Sequence, residues 1–181
     1  MPDHDLIASK VSFARRWHVI AEIDLMRLMA DHAAISQLCD ALEMVADLLP
    51  ERPSAATAEQ IAEGLETLLR THNPQEERLM EAMFARDLSE PLTHSLLDHI
   101  HARHVACAVQ AQDLAAALRV GASEEAIAPD ALGYMLRCFF EGCRDAMVIE
   151  QLAIFALGQD RLTAGARALL TDRLAAICQA A

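Results

Sequence analysis

Apolar side chains recur at three- and four-residue spacing over four long stretches of this chain, and no run of strand length alternates with period two. Proline and glycine mark the breaks: Pro50 to Ser54, Asp87 to Pro91, Gly121 to Asp130 and Gly158 to Asp160. Between the breaks the chain is rich in Ala, Leu, Glu and Met, all strong helix formers. The pattern predicts an all-α protein. Its first helix ends near Leu49, three more cover 58–86, 90–120 and 130–157, and a short last helix covers 164–179. Candidate starts agree with this division. Thr57 and Gln60 fit a capping box, Ser89 and Pro129 precede or open their helices, and Thr163 can cap the last one.

Three of these segments are about 30 residues, or about 45 Å, and short links join them, which suits antiparallel neighbours. The expected architecture is an up-down four-helix bundle with an N-terminal extension and a short C-terminal helix. A first helix continuous from Asp5 would overshoot the others by about 20 Å. The part up to Trp17 is therefore expected to bend away or pack separately. A length of 181 residues suits one domain over 1–181, with its core at about 20–162.

Each apolar stripe carries a polar break. The first runs Leu25, Leu28, His32, Ile35, Cys39, Leu42, Ala46, Leu49, and the second Ile61, Leu65, Leu68, His72, Glu76, Leu79, Met83. The third runs Leu97, His101, His104, Ala108, Ala111, Ala115, Leu118, and the fourth Leu132, Met135, Phe139, Cys143, Ala146, Glu150, Ala153, Leu157. A lone His on such a stripe is ordinarily a hydrogen-bonded core residue, and a buried Glu costs several kcal/mol unless paired or bound to metal. Breaks in all four stripes, at similar depth in an antiparallel arrangement, form a constellation suited to a divalent metal. His72 and Glu76 are four apart and reach one centre, and His101 and His104, three apart, share a face. His99 joins only through a wide or π-type turn, and Glu77 is placed to act as an outer hydrogen-bonding group. Pro74, between His72 and Glu76, removes a backbone donor and is expected to kink the helix.

The run Leu28-Met29-Ala30-Asp31-His32-Ala33-Ala34-Ile35 resembles the first-helix signature of hemerythrin-like (HHE cation-binding) domains. The run from His72 to Glu76-Glu77-Arg78-Leu79 resembles their His-x-x-x-Glu-Glu second helix, and the likeness extends over about 25–162. It implies a non-haem centre, usually of two irons, in a four-helix bundle. Carried over by position, it implicates His32, His72, Glu76 and, as the fourth-helix carboxylate, Glu150. The third helix offers His101 with His104, or His99 with His104, at spacings that differ from the usual four. The fourth helix has Ala146 and Asp145 where a His is expected, and no His follows His104. One metal would then be under-coordinated or held by Asp145 or water, or a single metal binds, or the site is degenerate.

Composition narrows the rest. Apolar residues make up 54% and charged residues 23%, a soluble globular balance. A net charge of −12 argues against nucleic acid or an anionic membrane as partner. No apolar run reaches membrane-span length, so a cytoplasmic protein is expected. The five cysteines are odd in number, contain no Cys-x-x-Cys and read as small buried hydrophobes. His4 and His94 read as surface residues, and His18 lies about 21 Å along the helix from His32. The hemerythrin-like resemblance implies a non-haem iron protein, with Mn or Zn as alternatives. It would bind or sense O2, NO, peroxide or iron and redox state. The competing reading is a metal-free helical binding or regulatory module. A ferritin-like di-iron enzyme is disfavoured because no Glu has a His three residues later.

Overall fold

Helix follows the Ala-, Leu- and Glu-rich stretches closely. The computed structural model describes residues 19–84, 90–120, 126–158 and 160–180, and no strand occurs among them. Helix α1 spans Glu22–Leu48 and α2 spans Ala55–Thr67. A π-helical turn, Leu68–His72, joins α2 directly to α3, Asn73–Phe84. Then come α4 (Pro91–Val120), α5 (Pro129–Leu157) and α6 (Ala164–Ala180). At 27 residues, α1 is about 40 Å long and does not overshoot its neighbours. The expected bend near Trp17, the Ser89 cap, the Glu124-Glu125 run, His4 and His18 lie outside the described residues, as does the side chain of Cys178.

The start of α2 differs from the Thr57–Gln60 capping box. Ser54 is the N-cap: its hydroxyl accepts from the Thr57 amide at 3.2 Å, and Thr57 already lies inside the helix. The last helix starts as expected, with Thr163 Oγ1 accepting from the Ala166 amide at 3.1 Å.

The irregularity expected of Pro74 takes the form of the π turn. Pro74 has no N–H to give to the Arg70 carbonyl, and the wider turn absorbs that loss without ending the rod. It also slows the winding of the helix. Residues at a constant spacing of four, Leu68, His72, Glu76 and Met80, therefore stay on the core side. Met80 rather than Leu79 takes the next fully buried place.

Two apolar clusters fill the interior. The first holds Ile35 to Ala46 of α1, Ala58 to Leu68, Ala111 to Leu118 of α4 and Leu132 to Met147 of α5. The second holds Leu25 and Leu28, Met80 to Phe84, Ile100, Ala153 and Ile154, and Ala166 and Leu170 of α6. Helices α1 and α4 run from the second cluster toward the first; the α2–α3 rod and α5 run the other way. Helix α6 closes one end by packing on α1 and α5. Ile20 is stitched to the α5–α6 link by its amide to Arg161 O (2.9 Å) and by its carbonyl, which accepts from Thr163 N (3.1 Å). Arg161 lies over the Phe84 ring, 4.9 Å from its centroid, and donates to the Met83 carbonyl, tying that link to the end of α3.

Replacing the true cap should be felt and replacing its sequence rival should not. Ser54→Ala is expected to lower unfolding free energy by about 1 kcal/mol, and Gln60→Ala to stay within about 0.5 kcal/mol of the parent. Urea denaturation of both variants measures this; equal losses would place the cap elsewhere.

Candidate metal centre

Between the two apolar clusters lies a single polar layer. On α1 it is His32, between Leu28 and Ile35; on the α2–α3 rod it is His72 and Glu76, between Leu68 and Met80. On α4 it is His104, between Ile100 and Ala111, and on α5 it is Glu150 with Gln151, between Met147 and Ala153. All six are buried.

The imidazoles share one orientation. The Nε2 atoms face the carboxylates: His32 lies 3.5 Å from Glu76 and 3.2 Å from Glu150, His72 2.8 Å from Glu76, and His104 3.6 Å from Glu76 and 3.1 Å from Glu150. The Nδ1 atoms face outward to a polar side chain: His32 to Gln151 at 3.0 Å, His104 to Glu77 at 3.5 Å, and His72 to Asp31 at 3.9 Å. Only the His32 contact is a hydrogen bond; His72 Nδ1 and His104 Nδ1 are buried without one. His32 is thus placed as metal-binding histidines are, with one ring nitrogen inward and the other on an outer carboxylate or amide.

Two triads that could hold a metal ion result, His32 with His72 and Glu76, and Glu76 with His104 and Glu150, with Glu76 common to both. Metal–ligand bonds of about 2.0–2.2 Å place adjacent donors about 3.0 Å apart in an octahedral shell and about 3.4 Å apart in a tetrahedral one. The nitrogen–oxygen separations of 2.8–3.6 Å are of that size. Hydrogen bonding does not account for all of them. Glu76 Oε2 and Glu150 Oε2 are buried without a well-formed hydrogen bond, although ring nitrogens stand close to both. Buried oxygens so placed carry a large desolvation cost unless a cation meets them. The donor set therefore fits a divalent transition metal.

Gln151 is a member of the layer that the stripe pattern does not identify. Its amide nitrogen faces His32 Nδ1 while its Oε1 is buried without a partner. With the amide turned over, Oε1 would accept from Nδ1–H and leave His32 Nε2 free to hold metal. The only sequence signal is its place beside Glu150.

Several expected ligands lie elsewhere. The His101 side chain is 66% exposed and engages Glu77 Oε1 at 3.1 Å, outside the layer. The buried row of α4 passes through Thr93, Ile100, His104 and Ala111, which turns position 101 outward by about 100°. His99 is exposed on the same helix, and the π turn lies before α3 rather than in α4. Asp145 is exposed, which removes it as a substitute ligand, and half-buried Ala146 lines a cavity beside His72, Glu76, His104 and Glu150.

Without metal, the layer is an ion-pair network. Burial opposes protonation of His32, but Glu150 and Glu76 outweigh it and push its pKa up to about 9. Burial likewise opposes charging Glu76, yet His32 and His72 hold its carboxyl well below the usual carboxylate range. His104 is buried too, and Glu150 and Glu76 raise it. The His32 contribution to stability is full below its unfolded value of 6.5 and fades as pH rises through about 9. That of Glu76 is full above 4.5 and fades as pH falls below it. Metal-free protein should accordingly melt highest between pH 4.5 and 6.5. Bound metal requires unprotonated imidazoles, so the melting gap between metal-loaded and metal-free protein should widen from about pH 6 to about pH 8. Calorimetry on both forms across that range checks this; a gap that narrows would contradict metal ligation by these rings.

No family model matches this chain, and no curated protein or solved structure matches it.

Proposed function

We propose that this chain is a hemerythrin-like, non-haem iron protein whose four long rods form an up-down bundle. Its role is to bind or sense O2, NO, peroxide or the cell's iron and redox state. The observation that supports this most is the layer itself: three Nε2 atoms and two carboxylates converge between two apolar clusters, with one oxygen of each carboxylate lacking a well-formed hydrogen bond. Imidazole with carboxylate suits Fe, Mn or Zn better than Ca or Mg. Iron, when bound, supplies one-electron redox chemistry and positions for a small ligand. The two triads that share Glu76 suit a pair of ions with that carboxylate between them, and each ion would have only three protein ligands. Ala146, where the resemblance leads one to expect a His, leaves space on the cavity side for the ligand.

A metal-free module is the second reading, favoured by the paired charges of His32, Glu76 and Glu150. Metal analysis of protein purified in air, with its visible absorption, separates the two. Bound iron with ligand-to-metal bands supports the first; none, even after iron is added, supports the second.

Substitution sharpens the test. Metal at about 100 times its dissociation constant contributes about 2.7 kcal/mol, worth about 5–11 °C in a chain of this size. His72→Ala and Glu76→Ala should abolish that metal-dependent rise, whereas His94→Ala and His101→Ala should keep it, since both rings are exposed. Melting curves with and without iron decide. A rise retained in His72→Ala would remove the α2–α3 rod from the site.

A further inference from the structure

Beside the polar layer, on the side of the first apolar cluster, two thiols face each other across the α4–α5 packing. Cys107 Sγ lies 3.7 Å from Cys143 Sγ. Cys143 is buried, and Cys107, half-buried, sits one turn beyond His104. Both line the cavity that also reaches His104 and Glu150. Cys39 of α1 also neighbours Cys143 but is fully buried and absent from the cavity wall.

The cavity holds about 60 Å³. That volume, counted for the centres of water-sized spheres, exceeds the about 10–15 Å³ that one water needs, so the cavity has room for a molecule as small as hydrogen peroxide. Arg103 also lines it, pinned by donating from Nη2 to the Gly142 carbonyl at 2.7 Å. The Cys143 thiol beside Cys107 favours its thiolate against the opposing effect of burial, and the His104 and Arg103 charges add to this. A thiol pair at this separation needs to close by only about 1.7 Å to reach the disulfide bond length of about 2.05 Å.

We propose that Cys107 and Cys143 are a redox-active dithiol that reduces a small hydroperoxide entering this cavity. The Cys107 thiolate attacks one peroxide oxygen. The O–O bond breaks, an S–O bond forms, and the leaving hydroxide takes a proton to become water, which leaves Cys107 as a sulfenic acid. The Cys143 sulfur then displaces that hydroxyl group, which leaves as a second water with the Cys143 proton, and the disulfide forms. In sum, hydrogen peroxide and two thiols give one disulfide and two waters. An external thiol reductant returns the pair to its starting state. The reaction belongs to the thiols and does not rest on metal occupying the neighbouring layer.

The test uses full-length reduced protein, both as purified and after chelation, treated with one equivalent of hydrogen peroxide. Free thiols are then blocked and the peptides mapped by mass. The expected result in both preparations is a Cys107–Cys143 crosslink, loss of two free thiols for each peroxide consumed, and reversal by dithiothreitol. Cys107→Ser should slow peroxide consumption by at least about tenfold. Cys143→Ser should leave a Cys107 sulfenic acid that dimedone traps, and Cys39→Ser should leave the crosslink intact. A Cys39–Cys143 bond, a crosslink through Cys138 or Cys178, or unaltered thiols would overturn the assignment. So would a disulfide that forms only in metal-containing protein, which would assign the oxidation to the metal layer instead.

Discussion

Two carboxylates, Glu76 and Glu150, are buried in the middle of a helical protein, with apolar clusters on either side of them. Burying a carboxylate costs several kcal/mol unless charge and hydrogen bonds compensate. Three imidazoles face the pair, and the rest of the interior is arranged so that they can. Protonating His32 recovers part of the cost in the absence of metal, because Glu150 and Glu76 hold its ring charged. That solution is partial, since an oxygen of each carboxylate still has no well-formed hydrogen bond. A divalent cation would answer both carboxylates, and the rings would then be neutral, the form in which imidazole binds metal.

The helices can be understood as the means of holding that layer at one depth. Two rods run one way through it and two the other, and each contributes its polar residue where one apolar cluster gives way to the next. On the α2–α3 rod the π turn keeps Leu68, His72, Glu76 and Met80 in line, so one rod presents two polar side chains of the layer in succession. Outward from the rings, Gln151 engages His32 Nδ1 at 3.0 Å, while Glu77 and Asp31 stand near the Nδ1 atoms of His104 and His72 without hydrogen-bonding them. The thiol pair lies one helical turn further along α4, at the edge of the same cavity.

Much of this layer was legible in the sequence, because a charged or imidazole residue on a strongly apolar stripe has few alternatives to the interior. His32, His72, Glu76 and Glu150 were found in that way, and all four are buried where their stripes placed them. Helix α4 was harder. Apolar residues surround it, with Val105 and Val109 exposed, so its stripe can be drawn through His101 or through Ile100. Packing against its neighbours chose Ile100, and only His104, common to both rows, entered the layer. Gln151 was missed for a related reason: it adjoins Glu150 on α5, and neutral amides are frequent on helix surfaces. The Ser54 cap was hidden because Thr57 offers the same chemistry three residues on, and the choice depends on how the chain leaves Pro53. Thiol proximity has no sequence signature at all, since Cys107 and Cys143 are 36 residues apart and meet only through the packing of α4 on α5.

X-ray absorption at the iron edge, on protein purified in air and then supplied with iron, reads out which atoms hold the cation. The expected result is nitrogen and oxygen donors at about 2.0–2.2 Å, with the outer-shell scattering that imidazole rings produce. A sulfur shell at about 2.3 Å would move the cation to the cysteines. Iron scattering only from water oxygens would show that the buried carboxylates and imidazoles hold no metal.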